Sequence, residues 1–191
     1  LYEFAGLLVK QKLAGEKWPV VVWAILSGTA NSLKSGEYQI EPHESPARIL
    51  GRVSRGDIYQ HRVTLLEGWS YQDLIGKLRQ QTKLSQELGS LTPRQIRESL
   101  SLTANSPEGL FFPDTYFFVR GESDLDLLDR AARKMEQNLK EAWALRASGL
   151  TLDTPYQALI LASIIQKEAM RSSEMPRISA VFHNRLKRKM R

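Results

Sequence analysis

Apolar residues recur along this chain with two different periods, and the switches between them mark its elements. Leu1, Phe4, Leu7 and Leu8 keep helical spacing, so "LYEFAGLLVKQKLA" and then "WPVVVWAILSG" predict two short helices within residues 1–30. "GEYQI", 36–40, alternates apolar and polar positions and predicts a strand. "SPARILGRVSRG" predicts a helix with Ser45 as N-cap, Pro46 at the first helical position and Gly56 as the stop. Alternation returns at 60–68, with Arg62 and Thr64 on one face and Val63 and Leu65 on the other. Ser70, with Asp73 three residues later, has the form of a capping box and opens another helix; Thr92-Pro93 opens one over 92–100.

Residues 103–123 keep neither period. Turn formers and aromatics crowd together there: Phe111, Phe112, Tyr116, Phe117 and Phe118, with Pro107 and Pro113. The stretch reads as a linker or the wall of a groove, not a regular helix. From 124 the helical period resumes, with a long amphipathic helix to 147, a break at "GLTLDTP", a helix over roughly 155–171 started by Thr154-Pro155, and a last helix from near Pro176. The fold class is therefore α+β, a small helix/strand module followed by a mostly helical part.

Length and composition narrow the functional classes. The 191 residues are 42% hydrophobic and 25% charged, which suits one sizeable folded domain or two small ones. There is no cysteine, so disulfides, thiolate chemistry and zinc–thiolate sites are excluded. A net charge of +6 favours anionic partners. Part of the excess sits in "RLKRKMR" at 185–191, which reads first as a solvated helix end favoured by the helix dipole. That tail lacks interleaved aromatics, so nucleic acid is not an expected partner. The best apolar run, 18–26, has nine residues and a bilayer needs about 20. The chain opens and closes in helical patterns and does not begin with Met, as a fragment of a longer protein would.

Three stretches carry candidate chemistry. In "LILASIIQKEAM", 159–170, the helical projection sets Ala158, Leu161, Ala162, Ile165 and Glu168 on one stripe. A carboxylate on an apolar stripe is desolvated, which raises its pKa and suits a general acid. The same placement also fits a buried structural glutamate paired with Arg171 or Arg185, so both readings stay open. In "EGLFFPDTYFF", 108–118, Glu108 and Asp114 stand among aromatics, as a sugar-binding face requires; a core turn in which Asp114 bonds its own backbone fits equally. In "FHNRL", 182–186, His183, Asn184 and Arg185 fall mid-helix. The three histidines, His43, His61 and His183, have no metal-ligand spacing, and neither a metal nor another cofactor is expected.

Taken together, "EGLFFPDTYFF", "LASIIQKEA" and "ISAVFHNRL" resemble, in that order, the three motifs of the YceG-like family, the endolytic murein transglycosylases. "SGEYQI" and "VTLLEGWS" resemble that family's LysM-like module. The resemblance implies a LysM-like module over 1–68, a connecting region over 69–122 and the helical part of a lysozyme-like transglycosylase domain over 123–191. It implies cleavage inside nascent peptidoglycan strands, between N-acetylmuramic acid and N-acetylglucosamine, leaving 1,6-anhydro ends. The family's catalytic glutamate falls on Glu168, and Asp114, Tyr116, Asn184 and Arg185 become groove or support positions. Gln166 stands where the family pattern has Glu. The implied setting is the bacterial inner membrane, single-pass, with the catalytic part in the periplasm and cell-wall synthesis proteins as partners. An N-terminal membrane anchor and the rest of the catalytic domain are expected outside this stretch. The alternative is a non-catalytic module that binds peptidoglycan and docks onto the synthesis machinery.

Overall fold

The computed structural model describes residues 1–102 and 106–190; residues 103–105 of the aromatic stretch, and Arg191 of the basic tail, lie outside them. The elements run α1 (Tyr2–Lys10), α2 (Lys17–Leu26), α3 (Pro46–Arg55), β1 (His61–Thr64), α4 (Tyr71–Arg79), α5 (Pro93–Ser99), β2 (Thr115–Phe118), α6 (Asp124–Ala144), α7 (Pro155–Glu168) and α8 (Met175–Lys187). The α+β class stands. Among the described residues no helix is long and apolar enough to cross a membrane.

The chain divides into two compact units, Leu1–His61 with Phe117–Gly121, and Arg62–Tyr116 with Glu122–Arg191. In the first, α1, α2 and α3 meet on Ala5, Leu8, Val20, Val21, Ile49 and Val53. α3 forms where its caps direct. Ser45 accepts from Arg48 N, Pro46 needs no donor partner at the first position, and Gly56 closes the helix at φ 79°. The strand expected at 36–40 does not form. Tyr59 N donates to Glu37 O at 2.7 Å, and Tyr38 and Ile40 pack against the helical core. The alternation there reports side-chain packing, not strand pairing, because a period of two is satisfied by any extended segment lying on an apolar surface. Glu37 also meets His61 Nε2 at 2.6 Å and Arg120 at 3.5 Å, and the His61 ring stacks on Phe118.

The second unit contains α4 to α8. Leu65 N donates to Asp114 O at 2.9 Å and Thr64 Oγ1 bonds Thr115 Oγ1 at 2.9 Å, so β1 and β2 run antiparallel. Val63 and Leu65 face inward while Arg62 and Thr64 are exposed, as the alternation requires. β2 was not legible in the aromatic stretch, where four strand residues follow directly on Pro113-Asp114. α4 starts with a complete capping box between Ser70 and Asp73. α6 supplies Leu127, Leu128, Ala131 and Ala132 to the core. Its Asp124 is fully buried, with Oδ1 accepting from Glu87 N at 2.9 Å and Leu88 N at 3.1 Å. α7 and α8 follow as the C-terminal pair, and Arg185 and Lys187 occupy the last turn of α8, where the dipole favours cations.

Candidate active site

The aromatic segment 108–118 is tied down at three points. Gly109 takes φ 74°, a left-handed turn that glycine adopts without strain, and its α-carbon lies where a Cβ would sit 4.0 Å from Leu159 on α7. Glu108 is engaged by α4. Its Oε2 accepts from Tyr71 N at 2.5 Å and caps the start of α4. Phe111 is buried with its ring stacked on Tyr71, at 6.0 Å between centroids. Phe112 N then donates to Ala131 O on α6 at 3.1 Å.

Asp114 and Tyr116 stand together on this segment, and both are engaged. Asp114 Oδ1 accepts from Thr115 N at 2.7 Å, and Oδ2 is ion-paired with Lys134 of α6. The Lys134 ammonium, and after it the Thr115 amide, hold the Asp114 carboxyl below the usual range. Asp114 is thus an anion in a fixed place, able to accept from a hydroxyl and unsuited to giving a proton. Tyr116 is buried, and its hydroxyl donates to Phe112 O at 2.7 Å. Burial, with the nearby Asp114 charge, pushes it up to about 12. Of the segment's aromatics, Phe111, Tyr116 and Phe118 are core residues, while Phe117 is 51% exposed. Lys134 carries no motif in the sequence. It is found only because α6 passes beneath the segment.

α7 corrects the expectation for Glu168. Thr154 accepts from Gln157 N and Pro155 leads the helix, as the sequence implies. The stripe is buried only at Leu161; Ala162 and Glu168 are exposed, and Ala158 and Ile165 half-buried. Glu168 is the last residue of α7, and its side chain is open to solvent. The desolvation predicted from the projection is therefore absent, because a helical projection says which residues share a face and not how far along that face the neighbours reach. A second row on the same helix ends at Glu168. Tyr156, Ile160 and Ile164 follow it back at steps of four and are 38%, 45% and 38% exposed. The carboxylate thus terminates a partly exposed apolar ridge.

α8 returns along α7. His183 Nδ1 bonds Thr151 Oγ1 at 2.8 Å, just before α7 begins, so the C-terminal half of α8 lies beside the N-terminal end of α7. Asn184 and Arg185, the next two residues, are exposed at that end. Glu168 is at the other end of a helix of 14 residues, about 20 Å away along the axis. Gly109, beside Leu159, is nine residues short of Glu168, about 14 Å along the same axis. The structure brings Asp114 and Tyr116 together against α6 and sets Asn184 and Arg185 at one end of the helical pair. It does not gather all four around Glu168.

The profile of the YceG-like family matches residues 1–191. The chain is 24% identical over 178 residues to the endolytic murein transglycosylase of Bacillus subtilis (strain 168), covering 84% of this chain and 49% of that protein. It is 23% identical over 189 residues to the protein of the same name from Streptococcus pneumoniae serotype 2 (strain D39 / NCTC 7466), covering 83% of this chain and 33% of that one. The chain thus spans half the length of the first relative and a third of the second. Among solved structures, a YceG-like protein of Listeria monocytogenes is 18% identical, with a TM-score of 0.49, covering 98% of this chain and 67% of that one.

Proposed function

This chain belongs to the YceG-like family, and from that premise we propose that it is part of a peptidoglycan lytic endotransglycosylase with Glu168 as its acid and base. The reaction needs one carboxyl group. Protonated Glu168 gives its proton to the oxygen linking N-acetylmuramic acid to N-acetylglucosamine as the C1–O bond breaks. The resulting carboxylate then takes the proton of the C6 hydroxyl as O6 bonds to C1. The muramic acid ends as a 1,6-anhydro sugar, the other end gains a free hydroxyl, and no water is consumed. A glycosidase that uses water needs a second carboxyl group to activate it or to attack the sugar; this reaction does not.

The observation that carries the reading is the exposed Glu168 at the end of the Tyr156–Ile160–Ile164 ridge. Sugar rings offer apolar C–H faces to such a ridge, and the scissile oxygen can reach a carboxyl that is open to solvent. Asp114 is proposed as an acceptor for a sugar hydroxyl and Tyr116 as its support. Asn184 and Arg185, about 20 Å along the helix, can touch only a sugar several units from the bond cleaved. The proposal extends to the periplasmic face of the inner membrane as the setting and to cell-wall synthesis proteins as partners.

The test is release of 1,6-anhydro-muropeptides from isolated sacculi by the full-length protein, read by mass spectrometry. Glu168→Gln is expected to abolish the product. Release at the wild-type rate would sink the assignment. A second reading has its own support: on α2, Trp18 is 65% and Trp23 52% exposed, as in a non-catalytic, LysM-like glycan-binding module. It predicts sacculus binding that survives Glu168→Gln and falls on Trp18→Ala.

A further inference from the structure

The backbone that follows Glu168 is held by a carboxylate outside all three sequence motifs. α7 stops at Glu168. Ala169 leaves helical geometry at φ −80°, ψ 121° while its N–H still donates to Ile165 O at 2.9 Å. The next two amides, Met170 N and Arg171 N, both donate to Glu174 Oε2, at 3.2 and 3.3 Å. Glu174 N in turn donates to Arg171 O at 3.0 Å, closing the 3₁₀ turn Ser172–Glu174 that runs directly into α8. One carboxylate oxygen therefore takes up two of the N–H groups that the chain presents as it leaves α7.

This arrangement has a consequence for Glu168. The side chain is exposed, so packing does little to fix it, and the backbone just past it is the element left to orient it. Residues 170–174 are exposed as well, and nothing apolar locks their turn. An exposed turn with two free amides samples several backbone states, whereas one whose two amides share a single acceptor oxygen is confined. Proton transfer to a glycosidic oxygen tolerates little displacement, and an error of about 1 Å in placing a reacting group can cost about a hundredfold in rate.

We propose that Glu174 is a positioning residue: by bridging the Met170 and Arg171 amides it fixes the end of α7 and so aims Glu168. This rests on Glu168 being the acid and base. The role calls for an acceptor oxygen at the right reach, not for a negative charge, and that separates the variants. Glu174→Gln keeps the oxygen. Glu174→Asp keeps the charge and withdraws the oxygen by one methylene. Glu174→Ala removes both.

The experiment uses the full-length protein and two readouts: hydrogen exchange at the Met170 and Arg171 amides, and anhydro-product release from sacculi with rate and half-saturation separated. In Glu174→Ala the two amides are expected to exchange about tenfold faster. Product release should fall about ten- to a hundredfold in rate at unchanged half-saturation. Glu174→Gln should restore protection and most of the rate; Glu174→Asp should resemble Ala. Wild-type rates in Glu174→Ala overturn the proposal, and so does a Gln variant no better than the Ala one. Should Glu174→Ala fail to fold, the Gln and Asp variants decide, and an Asp variant faster than Gln overturns it. Cleavage by Glu168→Gln removes the residue being aimed and refutes this inference with the functional reading. Its absence in Glu168→Gln, together with full activity in Glu174→Ala, refutes this inference alone.

Discussion

Replacing Asp124 by Ala is expected to weaken the second unit more than any other single surface-to-core polar change named above. Asp124 opens α6 and is 0% exposed. Its Oδ1 accepts from Glu87 N at 2.9 Å and from Leu88 N at 3.1 Å, holding the loop after α4 against α6. Among the described residues Oδ2 has no partner. A hydrogen bond to a charged group contributes about 1.5–3 kcal/mol, so the two bonds together are worth about 3–6 kcal/mol. Against this, removing the carboxylate relieves the desolvation of Oδ2, an offset of about 1–3 kcal/mol. The Ala variant should therefore lose about 2–3 kcal/mol net. At about 2–4 °C per kcal/mol for a chain of this size, its melting midpoint should fall by about 4–12 °C. Asp124→Asn keeps an acceptor at the Oδ1 position and puts a neutral amide at the other, so it should lose about 1 kcal/mol or less. Thermal melting at pH 7 followed by circular dichroism measures both. A shift under about 1 °C in the Ala variant would refute the reasoning. Equal losses in the two variants would show that charge, not the pair of acceptor bonds, holds the loop.

The remaining predictions concern the segment beside α6. The Asp114 carboxyl is depressed in the fold by Lys134 and the Thr115 amide, so its contribution is complete above the unfolded value of about 3.9 and is lost as pH falls through the lower folded value. Lys134→Met should therefore flatten the decline in melting midpoint below about pH 4 relative to wild type; an unchanged acid profile would show the pair to be idle. Tyr116 is raised to about 12 in the fold, so its contribution is complete below the unfolded value of about 10 and is lost as pH rises from 10 towards 12. Tyr116→Phe should remove that alkaline loss and, at pH 7, cost about 1 kcal/mol for the hydroxyl bond to Phe112 O; a denaturant titration at both pH values reads it.

The caps and stops of the helices were legible in advance because each is settled within a few residues of sequence. Ser45 with Pro46 and Gly56, the Ser70–Asp73 box, and Thr154-Pro155 all stand where their residue types put them. Faces were legible where the alternation was short and bounded, as at Val63 and Leu65. The 36–40 segment was misread for a related reason, since alternation alone cannot tell a paired strand from an extended segment packed on helices. β2 was missed because Pro113, Asp114 and a cluster of aromatics are turn signals, and its pairing with β1 depends on residues some fifty positions earlier.

The candidate site divides along the same line. The sequence by itself put Glu168 on a helix with Leu161, and that placement holds, because helix type and angular position are local properties. Only the tertiary structure decided that Glu168 is open to solvent, that Lys134 holds Asp114, that Asn184 and Arg185 lie at the opposite end of the helical pair, and that Glu174 grips the turn beyond α7. Burial and partnership depend on where distant elements stop covering a surface. A helix's own pattern fixes the direction each side chain leaves the axis, and it carries no record of how far its neighbours extend along it.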